Sequence, residues 1–364
     1  MSNLTETAYY TRKALKFGSI ALVFFLVIRA IISAGIAYWK QKNPPPPPPA
    51  TVAFGKIPAI KFPNTGTNPP FYPRLETIDN KLPQFPNMVN VYFIPQQTSY
   101  NLFTEERTKS WAQGIGFTSE PTKVDAYHFI YKTQGIPQTT LKLSVLEGNF
   151  SLKYDYQNDL TLVGIKNPPN KDQAIAEAKR FLEQADSLTA NLANGSQEVV
   201  FLKFVPPNVE KAIAFSEADF SLVNFFRANL NGLRVMPPSP QKSLVSVLLS
   251  GSDNQQKRIL EVNYTHYTIN ESTSATYPLK TIDKAWEELQ KNQVYLANFG
   301  QNFDGQVVIR KVYLAYFDPP DEQKFVEPIY VFEGDRDFIG YVAALDPQFI
   351  AEEVPTENSQ TPTQ

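Results

Sequence analysis

Hydrophobic positions along this chain fall into two regimes. Residues 17–39 read FGSIALVFFLVIRAIISAGIAYW, an unbroken apolar run that holds one charge, Arg29. At helical rise such a run extends about 35 Å, enough to cross a hydrocarbon core of roughly 30 Å. Tyr38 and Trp39 stand at one end and Tyr9 and Tyr10 before the other, where interfacial aromatic belts form. The pattern predicts a transmembrane helix over 17–39, preceded by a cytoplasmic tail over 1–16. From residue 87 onward the pattern changes to short periods of two and of 3.6.

The alternating stretches predict strands and the helical spacings predict helices. Residues 88–94 read as a strand. Thr104 caps a short helix carrying Trp111 and Ala112 and ended by Gly114 and Gly116. A strand over 126–132 follows, and then the clearest hairpin of the chain. Leu141, Leu143 and Val145 alternate with polar residues, Glu147-Gly148-Asn149 turns, and Phe150, Leu152, Tyr154 and Tyr156 alternate back. Asn170 with Gln173 predicts a capping box, opening a helix whose apolar face is Ala174, Ile175, Ala178, Phe181, Leu182 and Ala185. Strands are predicted at 198–205, 219–227, 233–236, 244–250 and 258–269, with a turn at Asn231-Gly232. A helix from Thr281 presents Ile282, Ala285, Trp286 and Leu289 on one side and Glu288 on the solvent side. Strands at 307–317, 325–332 and 338–344 complete the pattern. Helix followed by antiparallel strands thus occurs three times, starting near Thr104, Asn170 and Thr281. The expected fold class is α+β, with two or three units of a helix laid on an antiparallel sheet. The first unit covers 87–166, the C-terminal region 167–346, and a disordered tail 347–364.

Between the two regimes lies a proline-rich stretch. Six consecutive prolines occupy 44–49, and more follow at 58, 63, 69, 70, 73, 83 and 86. Six residues of polyproline II span about 19 Å without internal hydrogen bonds. Residues 40–86 are therefore expected to be a stalk that clears the headgroups.

Arg29 interrupts the span. Insertion costs roughly 2.5–3.5 kcal/mol for an arginine at the bilayer centre, which the flanking aliphatics can absorb. It either snorkels or meets an acidic partner inside the membrane. A cleaved signal peptide fits less well, because the apolar run resumes after Arg29 and no small-x-small site closes it. Basic residues flank both ends, so orientation rests on the short N-terminal tail, which favours a single-pass protein of the cell membrane with its C-terminal domain extracytoplasmic.

Composition narrows the chemistry. Lys plus Arg (34) nearly balance Asp plus Glu (36), which leaves no basic footprint for nucleic acid. Cysteine is absent, so disulfides and thiolate sites are excluded. His266 shares a strand face with Leu260, Val262 and Tyr264, the setting of a buried core histidine, while His128 faces out. The clusters Asp318, Asp321, Glu322 and Asp335, Asp337 lack calcium-loop spacing and read as solvated turn carboxylates. Tyr127, Tyr131, Tyr154, Tyr156, Tyr264 and Tyr267 read as the belt of a β-rich core rather than a ligand groove. No phosphate loop, HExxH or GxSxG occurs. The sequence thus points to no catalytic, cofactor or metal residue, and Arg29 is the one candidate contact.

Toward the C-terminus the chain reads Val312-x-Leu314-x-Tyr316-Phe317, then Pro328-x-Tyr330-Val331-Phe332-x-Gly334, then Tyr341-Val342-x-Ala344. Tyr277-Pro278 and the helix with Ala285 and Leu289 precede it, and the strand pair within 219–235 lies further upstream. This run resembles the extracytoplasmic domains of the YycH/YycI family and the related PepSY-type units, over roughly 198–345. The resemblance implies a bacterial, single-span, outward-facing protein without catalytic residues. Such proteins regulate a sensor kinase or, for PepSY units, are proposed to inhibit proteases. The leading reading is a membrane-anchored binding or regulatory module whose partner is another membrane or cell-surface protein. A cell-wall hydrolase using dispersed carboxylates and a self-associating surface protein are the alternatives, and oligomeric state is left open. Protease added to intact cells should remove the mass beyond residue 44 and leave a small membrane-bound stub; full protection on accessible cells would reverse the orientation.

Overall fold

The computed structural model describes residues 3–42, 49–95, 102–159, 161–162 and 165–352. The chain divides into two compact units, Met1–Pro49 and Ala50–Gln364. Among its described residues the first holds the helix α1 (Asn3–Lys42), within which Thr7–Trp39 is long and apolar enough to cross a membrane. Residues 3–16 of the expected tail are thus helical. Prolines 44–48 lie outside the described residues.

The second unit opens with β1 (Tyr72–Leu75), β2 (Met88–Phe93), α2 (Leu102–Gly114), β3 (Thr122–Lys123), β4 (His128–Lys132), β5 (Thr139–Ser144) and β6 (Phe150–Tyr154). Then come α3 (Lys171–Gln184), α4 (Ala190–Ala193), β7 (Gln197–Val205), β8 (Asn208–Lys211), β9 (Phe220–Phe225), β10 (Val235–Met236), β11 (Val245–Ser250) and β12 (Ile259–Tyr264). The last third holds β13 (Asn270–Pro278), α5 (Ile282–Gln290), β14 (Tyr295–Asn298), β15 (Gln306–Phe317), β16 (Phe325–Val326), β17 (Pro328–Gly334) and β18 (Ile339–Ala343). It is an α+β fold of three sheets. A nine-stranded sheet runs β3-β4-β5-β6-β12-β11-β9-β7-β8, a second runs β1-β15-β17-β18-β14 with β10 also on β15, and a third runs β13-β2-β16.

Local chemistry explains most of these elements. The β5–β6 hairpin turns at Gly148, whose φ of +71° only glycine adopts without strain. At the start of α3 the Asn170 side chain accepts from the Gln173 backbone while the Gln173 side chain accepts from Asn170, closing both halves of the capping box. Its buried residues Ala174, Ala178, Phe181 and Leu182 join Leu141, Leu152, Val223 and Val247 of the nine-stranded sheet in one core. Thr281 caps α5, and Ala285 and Leu289 are its fully buried positions.

Tertiary structure overrides several sequence expectations. No boundary falls near residue 166, because β6 pairs with β12 and so places both expected units in one sheet. The strand expected at 88–94 pairs not with its neighbours in sequence but with β13 and β16. That β13 was not predicted reflects its composition, since NESTSATYP has no alternating apolar face. Thr104 lies inside α2 rather than at its cap. Trp286 is half-buried and tilted over Phe332 with ring centroids 6.0 Å apart. Glu288 is not a bystander, because it pairs with Lys280, which is 6% exposed. Burial pushes the Lys280 ammonium down, and the bond to Glu288 opposes that shift.

The largest correction concerns the stalk. Residues 50–86 are not a spacer; they wrap the domain. Ile57 is fully buried and bridges Ile350, Phe62 stacks on Tyr295 at 4.9 Å, and Phe71 is 1% exposed in the core of the second sheet. β1 adds a parallel edge strand, Tyr72 against Gln306 through Leu75 against Ile309. Pro73 is tolerated there because an edge strand can spare a donor. At the other end, residues 347–352 pack back through Phe349 and Ile350, and the rest of the expected tail lies outside the described residues. Proline spacing hides this strap from periodicity, since its large side chains occur singly between prolines.

A fragment starting at Ala50 should therefore melt cooperatively, whereas one starting at Asn87 loses Phe54, Phe62, Phe71 and β1 and should not. Within the full domain Phe71→Ala should cost about 3–5 kcal/mol by urea denaturation. Equal midpoints for the two fragments would restore the stalk to a passive spacer.

Candidate binding face

The two faces of the nine-stranded sheet differ. On one, Leu141, Leu143, Phe150, Leu152, Val262 and Tyr264 are buried beneath the helices. The strand period of two turns the intervening residues to the other side. There β4 presents His128, Ile130 and Lys132, β5 presents Thr140, Lys142 and Ser144, β6 presents Ser151 and Lys153, and β12 presents Glu261 and Asn263. Ser144 apart, these positions are half-buried or exposed. Toward β9 and β7 the same side becomes apolar and is filled by Phe220, Leu248 and Leu260 with Tyr154, Tyr156 and Leu162. The bare part is confined to β4, β5, β6 and the adjoining end of β12.

Two open recesses of about 550 and 380 Å³ lie on this bare part and share Lys142 and Ser151 as lining residues. The larger reaches Asp125, His128, Asn149 and Asn263, and the smaller reaches Gln138, Thr140, Lys153 and Asp155. His128 Nδ1 lies 2.9 and 2.8 Å from the two Asp125 carboxylate oxygens. The Tyr127 backbone N–H and the His128 ring, both bonding that carboxylate, hold Asp125 below the usual carboxylate range. Ser144 sits directly across from His128 in the β4–β5 register. No hydrogen bond joins the Ser144 hydroxyl to that ring, and both members of the Asp125–His128 pair are about half exposed. The groove therefore offers ammonium groups, hydroxyls and amides to a ligand, without an assembled nucleophile and base.

The other residues that the sequence singles out serve the fold. Five of the six tyrosines, all but Tyr127, are buried. His266 is buried just past β12, where Nε2 accepts from Arg227 at 2.9 Å and the ring proton is left on Nδ1. Burial, and then the Arg227 charge, push its pKa down to about 2, so it stays neutral. Arg227 also donates through Nε to Asp318 at 2.7 Å. Asp318 is thus no solvated turn carboxylate; it is 6% exposed and burial pushes its carboxyl up against the pull of Arg227. Asp321 and Glu322 are exposed as expected, and Asp335 binds Arg310 through both carboxylate oxygens. Arg29 lies exposed on α1 and pairs with no described residue. Glu327, which the sequence does not single out, is 3% exposed, and burial pushes it up to about 8. Such pairings join residues far apart in sequence, 91 positions for Arg227 and Asp318, so no local pattern announces them.

No protein-family model matches the chain, and no curated protein matches it. Among solved structures it is similar to an uncharacterized protein from Eubacterium rectale, at a TM-score of 0.33 and 11% identity over 71% of this chain and 83% of that one. It is also similar to the Bacillus megaterium YpeB C-terminal domain, at a TM-score of 0.32 and 14% identity over 69% of this chain and 94% of that one. Likeness at this level assigns neither a family nor an activity.

Two of the buried titratable groups, His266 and Glu327, make stability depend on pH in opposite senses. Below its ordinary value of 6.5, position 266 takes a proton in the unfolded chain that the folded chain refuses, so stability falls as pH drops. Above its ordinary value of 4.5, Glu327 keeps a proton in the folded chain until about pH 8, so stability falls as pH rises through that window. Each full slope is about 1.4 kcal/mol per pH unit. Urea denaturation across pH should show His266→Gln relieving the acid-side loss and Glu327→Gln the loss above pH 6.5. Variant curves parallel to wild type would show that neither group is buried as described.

Proposed function

We infer that this chain is a membrane-anchored extracytoplasmic binding or regulatory protein that acts through protein–protein contacts and carries out no reaction. The observation that carries this reading is the bare polar groove on β4–β6 and β12, on a sheet whose other face is covered by helices. Sheet faces in soluble domains are covered or solvated, and this one is polar and carries two open recesses. The apolar helix supports an anchor, and the run from Val312 to Ala344 supports a PepSY-like or YycH/YycI-like module. Arg29, which pairs with no described residue, is the residue we assign to an acidic partner side chain within the bilayer.

A photo-crosslinking amino acid placed at position 151 in living cells should trap a distinct protein, while one at exposed position 210 on β8 should not. Adducts of equal yield at both positions would remove the groove as the contact. A self-adduct alone would transfer the reading to a self-associating surface protein.

A further inference from the structure

One face of the third sheet is closed by the two ends of the folded body. Val91 of β2 and Ala275 and Tyr277 of β13 are at most 2% exposed. With Leu279 and Phe325 they pack against Val52, Phe54 and Ile57 from one end and Leu345, Phe349 and Ile350 from the other. The two ends also hold each other. The Ile57 N–H donates to the Phe349 carbonyl at 3.0 Å, and the Ala351 N–H donates to the Ile57 carbonyl at 2.7 Å, forming a parallel bridge between Ile57 and Ile350. The first end is otherwise fixed at a few points. The Val52 N–H donates to the Thr276 carbonyl at 3.1 Å, and Thr51 and Thr276 each donate a backbone N–H to the other's hydroxyl. The Tyr277 hydroxyl donates to the Gly55 carbonyl at 2.8 Å. Of residues 50–59 only Ile57 is fully buried, and of residues 346–352 none is. Val52 has a φ of +43°, where a β-branched side chain is crowded, so its seat is strained. Segments with so little buried surface open at lower cost than the core does.

We propose that residues 50–57 and 346–351 form one latch, which a cut near the exposed Gln348 opens, an inference that rests on the membrane-anchor reading above. Without the C-terminal segment, Ile57 loses both of its backbone partners and part of its apolar cover. A buried N–H and C=O left unpaired are costly, so the first end leaves the sheet when the second does. Released, residues 50–57 add about 28 Å of extended chain on the side of the apolar helix. The next hold is Phe62 stacked on Tyr295, beside the Lys61 carbonyl, which accepts from Gln323 Nε2 at 2.9 Å. The domain then reaches farther from its anchor, and the face of Val91, Ala275 and Tyr277 is bared. The C-terminal segment thus sets the length of the tether.

The test uses thiol labelling of the full chain in nanodiscs of phosphatidylcholine. Because the chain has no cysteine, Ala275→Cys supplies a sole thiol under the latch, and Ala178→Cys supplies one in the core beneath α3. Ending the chain after Asp346 should speed maleimide labelling at position 275 at least about tenfold and leave position 178 unchanged. Ile350→Asp in the uncut chain should do the same, with the residues beyond it still in place. Unchanged labelling at position 275 in both variants overturns the inference. So does equal acceleration at both positions, which is loosening of the whole body. If alkaline carbonate strips the chain from cell membranes while the two thiols differ as expected, the anchor reading falls and the latch stands.

Discussion

The Arg227–Asp318 pair joins the two large sheets, and much else depends on it. Arg227 follows β9 of the nine-stranded sheet and Asp318 follows β15 of the second sheet. Their side chains are 3% and 9% exposed and meet at 2.7 Å, with His266 accepting a second guanidinium hydrogen bond. A buried ion pair of this kind stabilises little beyond what apolar packing would. Removing one partner, however, leaves a charge stranded in low dielectric, at a cost of about 3–5 kcal/mol. It therefore holds one arrangement of the sheets against others, because any sliding strands both charges. The neutral His266 completes it, since a protonated ring would face the guanidinium with no acceptor left to offer.

Around that joint the strap of residues 50–86 closes the second and third sheets. Phe54 lies against Tyr277 and Phe325, Phe62 against Tyr295 and Phe317, and Phe71 against Phe338. Aromatic pairs at these separations add to the area they bury. The segment that follows the apolar helix is thus part of the folded body from Ala50 onward. Load carried along the chain toward Pro49 would act first on Thr51 and Val52, which bond Thr276 of β13. The groove is built from the other large sheet, on strands that the strap does not cover.

The groove owes its character to a division within one sheet. Where β9, β11 and β12 carry Phe220, Leu248 and Leu260, the side chains of Tyr154, Tyr156 and Leu162 pack over and bury them. Where β4, β5 and β6 carry Ile130, Lys142, Ser151 and Lys153, no comparable apolar set exists to draw a covering element. The same hairpin alternation that buries Leu141 and Leu152 therefore exposes Lys142 and Lys153.

Much of this was legible in the residues alone. The apolar run to Trp39, the β5–β6 hairpin, the capping box at Asn170, the helix start at Thr281 and the buried environment of His266 all depend on neighbours within a few positions, and local physics decides them. Lys142, Ser151, Lys153 and Asn263 could also have been assigned to one exposed face by alternation, though not placed side by side. Tertiary structure alone decided the pairing of β6 with β12, the route of the strap, the burial of Asp318 against Arg227 and the pairing of Glu288 with Lys280. Each of these brings together groups that the chain separates, and what selects them is the loss of water from apolar surface and from charge when distant elements meet. A periodic pattern reports which side of an element avoids water; it carries no information about which other element supplies the cover.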